Sequence, residues 1–208
     1  MKYSRKIIRC RRIVASTYQR ADVAPLEYRY ALDAAMPVVA GRNSPMVLCN
    51  VPQLESEVRQ RLSHISEPQL AMAGLWIEPL RGSWMNDLEK IQHTLNCNSP
   101  LIILASRPLA NLLPERKSWT GRPLGTHLRG LSNLSQALLE SGFVLESNYG
   151  VHSIWAIALS LVSRTVDLCG RPDLGDRLQF AARLHYCIRG PLAGLSTLAL
   201  IFARRVSS

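Results

Sequence analysis

The spacing of apolar residues divides the chain into short strands and amphipathic helices. "AGLWIEPL" at Ala73 to Leu80 is an apolar run of strand length stopped by Pro79, and "LIILA" at Leu101 to Ala105 is a second. Uninterrupted runs of this kind belong to strands covered on both faces. Between them Trp84, Leu88, Ile91 and Leu95 recur at helical spacing. Ser83 stands just ahead, where its side chain can cap the helix by accepting from a free backbone N–H. Farther on, Leu131, Leu134 and Leu138 form the stripe of another helix. Gly142 ends it, because glycine takes the left-handed conformation of a helix terminus without steric penalty. "FVLES" follows at once as a buried strand.

The flanking segments are less regular. "MPVVAGRNSPMVLCNV" reads as two short β-type runs separated by Gly41, Asn43 and Pro45. After Pro52, the stripe Leu54, Val58, Leu62 and Ile65 predicts an amphipathic helix closed by Pro68. From Arg107 to Arg129, proline, glycine and arginine predict a loop with one short helical turn. Beyond Gly150 the pattern predicts helices at Ser153 to Leu168 and about Leu174 to Ile188, then a last apolar strand, "LSTLALIFARR". Trp84 and Trp155 fall on helical stripes, as core or groove-lining residues. Strands alternating with helices imply an α/β fold, a mostly parallel Rossmann-like sheet with helices on both faces. The runs "IWAIALSLV" and "LSTLALIFA" fall short of the roughly twenty apolar residues a bilayer requires, so no transmembrane segment is predicted.

Composition narrows the class. With 208 residues, 47% of them hydrophobic, the chain suits one domain with a substantial core. We divide it into a basic amino-terminal segment, residues 1–27, and a single domain, residues 28–208. Lys and Arg number 25 against 15 Asp and Glu, and this net charge of +10 favours anionic partners. Seven of the basic residues lie before Asp22, among them Lys6, Arg9, Arg11 and Arg12, with Ile7, Ile8, Ile13 and Val14 interleaved. "ERKSWTGRP" sets Arg116 and Lys117 beside Trp119 in the expected loop. Basic and aromatic residues mixed in this way can neutralise phosphates and stack on bases, which makes RNA or another polyanion a candidate partner. The competing readings are a basic segment packed on the body with solvated charges, and a loop tryptophan that anchors its own loop.

Five cysteines, odd in number and without a C-x-x-C pair, point to a reduced setting, so a cytoplasmic location is expected. The arginine-rich start leaves organelle targeting as the alternative, whereas a secretory signal is excluded by the lack of an apolar stretch after it. The phosphate loop G-x-x-x-x-G-K-[ST], the G-x-S-x-G elbow and H-E-x-x-H are all missing from the sequence, and no metal site is predicted.

The order strand "GLWIEPL", helix, strand "LIILAS", long loop, helix "LSNLSQALLES", strand "GFVLES" and closing strand "LSTLALIFARR" resembles the second half of a class I S-adenosylmethionine-dependent methyltransferase. The glycine just before the penultimate strand and the basic end of the last one carry the likeness, over Ala73 to Arg205. It implies a last strand antiparallel to its neighbours, preceded here by a two-helix insertion over a small-molecule or lipid-like acceptor. It also implies S-adenosylmethionine as cofactor, held in the family by a glycine-rich loop after the first strand and an acid ending the next. The front half departs from this pattern, for Gly41 is the only glycine before Gly74.

In open α/β sheets, ligands bind at the carboxyl ends of the parallel strands. The candidates there are Glu78 and Arg81, Ser106 and Arg107, and Tyr149 beside Ser147 and Asn148. No residue is assigned a catalytic role. Two functions follow as expectations: a methyltransferase or a degenerate relative of one, and a non-catalytic protein that binds a polyanion through its basic face.

Overall fold

The structure, a computed structural model, describes residues 26–42, 44–62, 71–81, 83–112 and 130–206. Its elements in order are α1 (Leu26–Val39), β1 (Pro45–Cys49), α2 (Pro52–Arg61), β2 (Ala73–Ile77), α3 (Trp84–Thr94), β3 (Pro100–Ser106), α4 (Gly130–Glu140), β4 (Phe143–Ser153), α5 (Ile154–Leu168), α6 (Pro172–Leu184), β5 (Cys187–Arg189) and β6 (Ser196–Arg205). Short 3-10 turns follow β2 at Pro79–Arg81, β3 at Pro108–Leu112 and β5 at Pro191–Gly194.

One six-stranded sheet runs in the order β1-β2-β3-β6-β4-β5. β1, β2 and β3 are parallel neighbours, with Val47 opposite Leu75 and Leu75 opposite Ile102. β6 enters between β3 and β4 and is antiparallel to both, pairing Ile103 with Ile201 and Tyr149 with Leu200. The four strands expected from the apolar runs thus share a sheet, and the last runs against its neighbours.

Because side chains alternate along a strand, each buried strand feeds both faces. On one face Leu75, Ile77, Ile102, Leu104, Leu198 and Leu200 meet Tyr28, Ala31, Leu32 and Ala35 of α1 and Leu54 and Val58 of α2. On the other, Trp76, Leu101, Ile103, Ala199 and Ile201 meet Leu88 and Ile91 of α3 and Leu134 and Leu138 of α4. Burying side chains of this size stabilises by about 1.5–3 kcal/mol each.

Several expectations are corrected. Pro37 to Val39 end α1 rather than forming a strand, because Val39 continues the buried stripe Tyr28, Leu32 and Ala35 and helical packing overrides β propensity. Ser83 occupies the position before α3, but its side chain makes no capping hydrogen bond. β4 runs on to Ser153, through a polar stretch without an apolar signature. The second inserted helix stops at Leu184, and Cys187 to Arg189 instead pair with the free edge of β4 at Tyr149 to Val151. Gly142 does end α4 with a φ of +78°. The expected helix end at Ile65 and Pro68, and the loop beyond residue 112, lie outside the described residues.

The inserted pair α5 and α6 is built differently from the rest. Ser153 caps α5, its Oγ accepting from the Ala156 amide at 3.2 Å. The buried residues of α5 are Ala156 and Ser163, and those of α6 are Gly175 and Ala182. The Ser163 hydroxyl donates to the Gly175 carbonyl at 2.8 Å. A Cβ on Gly175 would stand 1.6 Å from an Asp167 carboxylate oxygen, so the two helices approach backbone to side chain at this point. Leu161, Val162, Leu168 and Phe180 face outward while Ile157, Leu159, Val166 and Leu178 are partly buried, and Trp155, expected to be buried or groove-lining, is 52% exposed.

Candidate functional site

The carboxyl ends of β1, β2 and β3 lie side by side, and the sharpest feature there is Glu78. The residue leaves β2 with a φ of +54°, a left-handed conformation that a non-glycine residue adopts at a cost of about 1–3 kcal/mol. Its amide still donates to the Leu104 carbonyl at 2.7 Å, so the parallel ladder continues through it. The side chain is fully buried.

The two carboxylate oxygens of Glu78 have opposite surroundings. Oε1 accepts from the Ser106 amide at 2.9 Å, from the Ser106 hydroxyl at 2.6 Å and from the Tyr28 hydroxyl in a short contact. Oε2 is buried and accepts from no group among the described residues. Tyr28 reaches this point from α1, where it is fully buried against the sheet, and its hydroxyl also lies 2.9 Å from the Ser106 Oγ.

A second carboxylate stands nearby. Asp87, in the first turn of α3, accepts from the Asn50 side-chain amide at 3.2 Å and from the Trp76 indole at 3.3 Å. The same Asn50 amide donates to the Glu78 carbonyl at 3.1 Å, and the Asn50 backbone amide donates to the Ile77 carbonyl at 3.1 Å. Asn50 therefore ties the end of β1 to the end of β2 and to α3.

Of the residues singled out from the sequence, Glu78 and Ser106 are brought into direct contact. Arg107 follows Ser106, and its guanidinium donates to Asn148 on β4 at 3.0 Å. Burial lowers its pKa from the ordinary arginine value, and its Nε is buried without a partner among the described residues. Arg81 closes the 3-10 turn and reaches the group through its amide, which donates to the Glu78 carbonyl at 3.1 Å. Tyr149 belongs to a different contact, edge-on to Phe202 at 6.0 Å and beneath the Arg189 guanidinium at 5.7 Å. Lys6, Arg9, Arg11, Arg12, Arg116, Lys117 and Trp119 lie outside the described residues.

Tyr28, Asn50 and Asp87 were not anticipated. Tyr28 lies in a stretch to which no helix was assigned, and nothing local marks Asn50 or Asp87, which acquire partners 37 and 11 positions away. Among the described residues no group of three or more His, Cys, Asp or Glu side chains could hold a metal ion.

The closing strand is what decides the architecture, since β6 lies antiparallel between β3 and β4, which run parallel to β1 and β2. The fold is methyltransferase-like. No family model matches the chain, and no curated protein matches it. Solved structures that resemble it include the [4+2]-cyclase SpnF, at 15% identity over 86% of this chain and 73% of that one, with a TM-score of 0.43. A putative sarcosine dimethylglycine methyltransferase from Galdieria sulphuraria is another, at 10% identity over 88% and 85%, with a TM-score of 0.39. At these values the architecture is read from strand order and direction alone.

Proposed function

We propose that the chain is an S-adenosylmethionine-dependent methyltransferase or a degenerate relative of one, with its ligand held at the carboxyl ends of β1, β2 and β3. The observation that carries this reading is the unpartnered Oε2 of Glu78. A buried acceptor without a donor costs about 1–3 kcal/mol, and more when charged, so a ligand that brings an O–H or N–H to this oxygen is favoured. Ribose hydroxyls and the ammonium group of S-adenosylmethionine are donors of that kind.

The turn after β1 fits the same ligand less well. Asn50, Val51 and Pro52 contain no glycine to let the backbone approach closely, and Pro52 has no N–H to offer at the start of α2. The cofactor would therefore be held through side chains, Glu78 foremost, and its affinity is expected to be weaker than low micromolar. No acceptor is assigned.

Calorimetry with S-adenosylmethionine and S-adenosylhomocysteine tests the proposal on the intact chain and on Glu78→Gln, which keeps the shape and removes the charge. Weak binding that the substitution abolishes is the expected result. Absence of binding to both compounds, or binding indifferent to Glu78→Gln, counts against this site. Low micromolar affinity would mean that the turn after β1 is a working variant of the glycine loop.

A further inference from the structure

We propose that the α5–α6 hairpin docks the protein on an anionic lipid bilayer surface, lying in the interface without crossing it. The inference is independent of what the strand-end site binds.

The hairpin is apolar on the outside. Trp155, Leu161, Val162 and Leu168 of α5 are 50–89% exposed, and Phe180 of α6 is 63% exposed. Where the two helices meet, Ser163 is hydrogen-bonded to Gly175, and Ile157, Val166 and Leu178 are only partly buried. In water a helix pair gains stability by turning its large apolar side chains inward. Small residues between helices and large ones outside form the arrangement that suits a hydrocarbon surrounding. The hairpin packs mainly on itself and touches the sheet lightly, so its outer face is not buried by the remainder of the fold.

Length and charge say what covers that face. The helices have 15 and 13 residues, too short for the roughly twenty needed to span a bilayer, and among the described residues no helix is long and apolar enough to do so. Exposed Arg171, Arg177, Arg183 and Arg189 accompany the apolar residues through the hairpin and the strand after it. Of the three aspartates in this region, Asp167 is turned toward Gly175 in the contact between the helices. Arginines can keep their heads among phosphates while their stems lie along apolar surface, and a tryptophan suits the boundary between the two. A net charge of +10 on the whole chain adds a long-range attraction to an anionic surface.

Flotation of the intact chain with vesicles of equal parts phosphatidylcholine and phosphatidylglycerol, and with phosphatidylcholine vesicles alone, tests the proposal. The expected result is binding to the first, little to the second, and a loss of about tenfold or more for Phe180→Ser or for Leu161→Ser, each of which removes an exposed apolar side chain. Arg177→Glu with Arg183→Glu should also weaken binding, roughly fivefold or more. These positions are exposed, and unchanged circular dichroism verifies that the variants are folded. Three outcomes overturn the proposal. They are no binding to either vesicle, binding equal for the wild type and both serine variants (which would place it in the basic amino-terminal segment), and a dimer that the serine variants dissociate while vesicles do not bind.

Discussion

The sheet with α1 to α4 and the hairpin of α5 and α6 are made from the same kinds of residue arranged in opposite ways. In the first, leucines and isoleucines meet across both faces of the strands, and Glu27 and Glu78 are the carboxylates buried beside them among the described residues. In the second, Ser163 meets Gly175 between the helices while Trp155, Leu161, Val162, Leu168 and Phe180 stand outside. Both helices of the hairpin are amphipathic by pattern, and pattern alone assigns their apolar stripes to a core. An apolar stripe identifies a face to be covered without saying by what.

The two regions should therefore respond differently to substitution. Ile103→Ala, in the fully buried β3, is expected to cost about 2–5 kcal/mol and to lower the denaturant midpoint of the whole fold. A local effect confined to one face would break the description of a single sheet shared by two cores.

At the joint between the regions, Gly150 of β4 leaves no room for a side chain. An added Cβ would stand 2.4 Å from the Ala193 carbonyl oxygen and 2.6 Å from the Ser196 Oγ. Gly150→Ala should cost about 1–3 kcal/mol through forced displacement of backbone, read as a lowered Tm. Within the hairpin, Ser163→Ala removes the bond to the Gly175 carbonyl and should cost about 0.5–1.5 kcal/mol. Amide exchange would show that loss in α5 and α6 while β2 and β3 keep their protection. Protection lost equally in both regions would mean that the hairpin does not fold as a separate unit.

Alkaline pH probes the sheet through two of its thiols. Burial pushes Cys49, at the end of β1, and Cys187, in β5, up to about 11. The folded state thus keeps these thiols neutral when the unfolded chain would already release the proton. Their contribution is complete below about pH 9 and is lost as the pH rises toward 11. The denaturant midpoint should fall over that window, and the Cys49→Ala, Cys187→Ala pair should flatten the fall. The exposed Cys97 and Cys169 should react with thiol reagents before Cys49 and Cys187. The smallest effect is expected on the outer face of the hairpin, where Leu161→Ser should change stability in solution by no more than about 0.5 kcal/mol.

The apolar runs by themselves determined the strands at β2, β3 and β6, because a sheet covered on both faces requires short stretches of continuous hydrophobicity, and helical spacing determined α3 and α4. They also determined Glu78, Ser106 and Arg107 as strand-end residues, since the ends follow once the strands are placed. Tertiary structure alone decided that Tyr28 reaches Glu78 from a helix 50 positions away and that Asn50 joins it to Asp87. It also decided that Cys187 to Arg189 pair as a strand, because the edge of β4 offers hydrogen bonds that a further helical turn would forgo. Periodicity reports which side of an element is apolar. Which element comes to rest against that side depends on contacts between residues far apart in sequence, and those exist only in the folded chain.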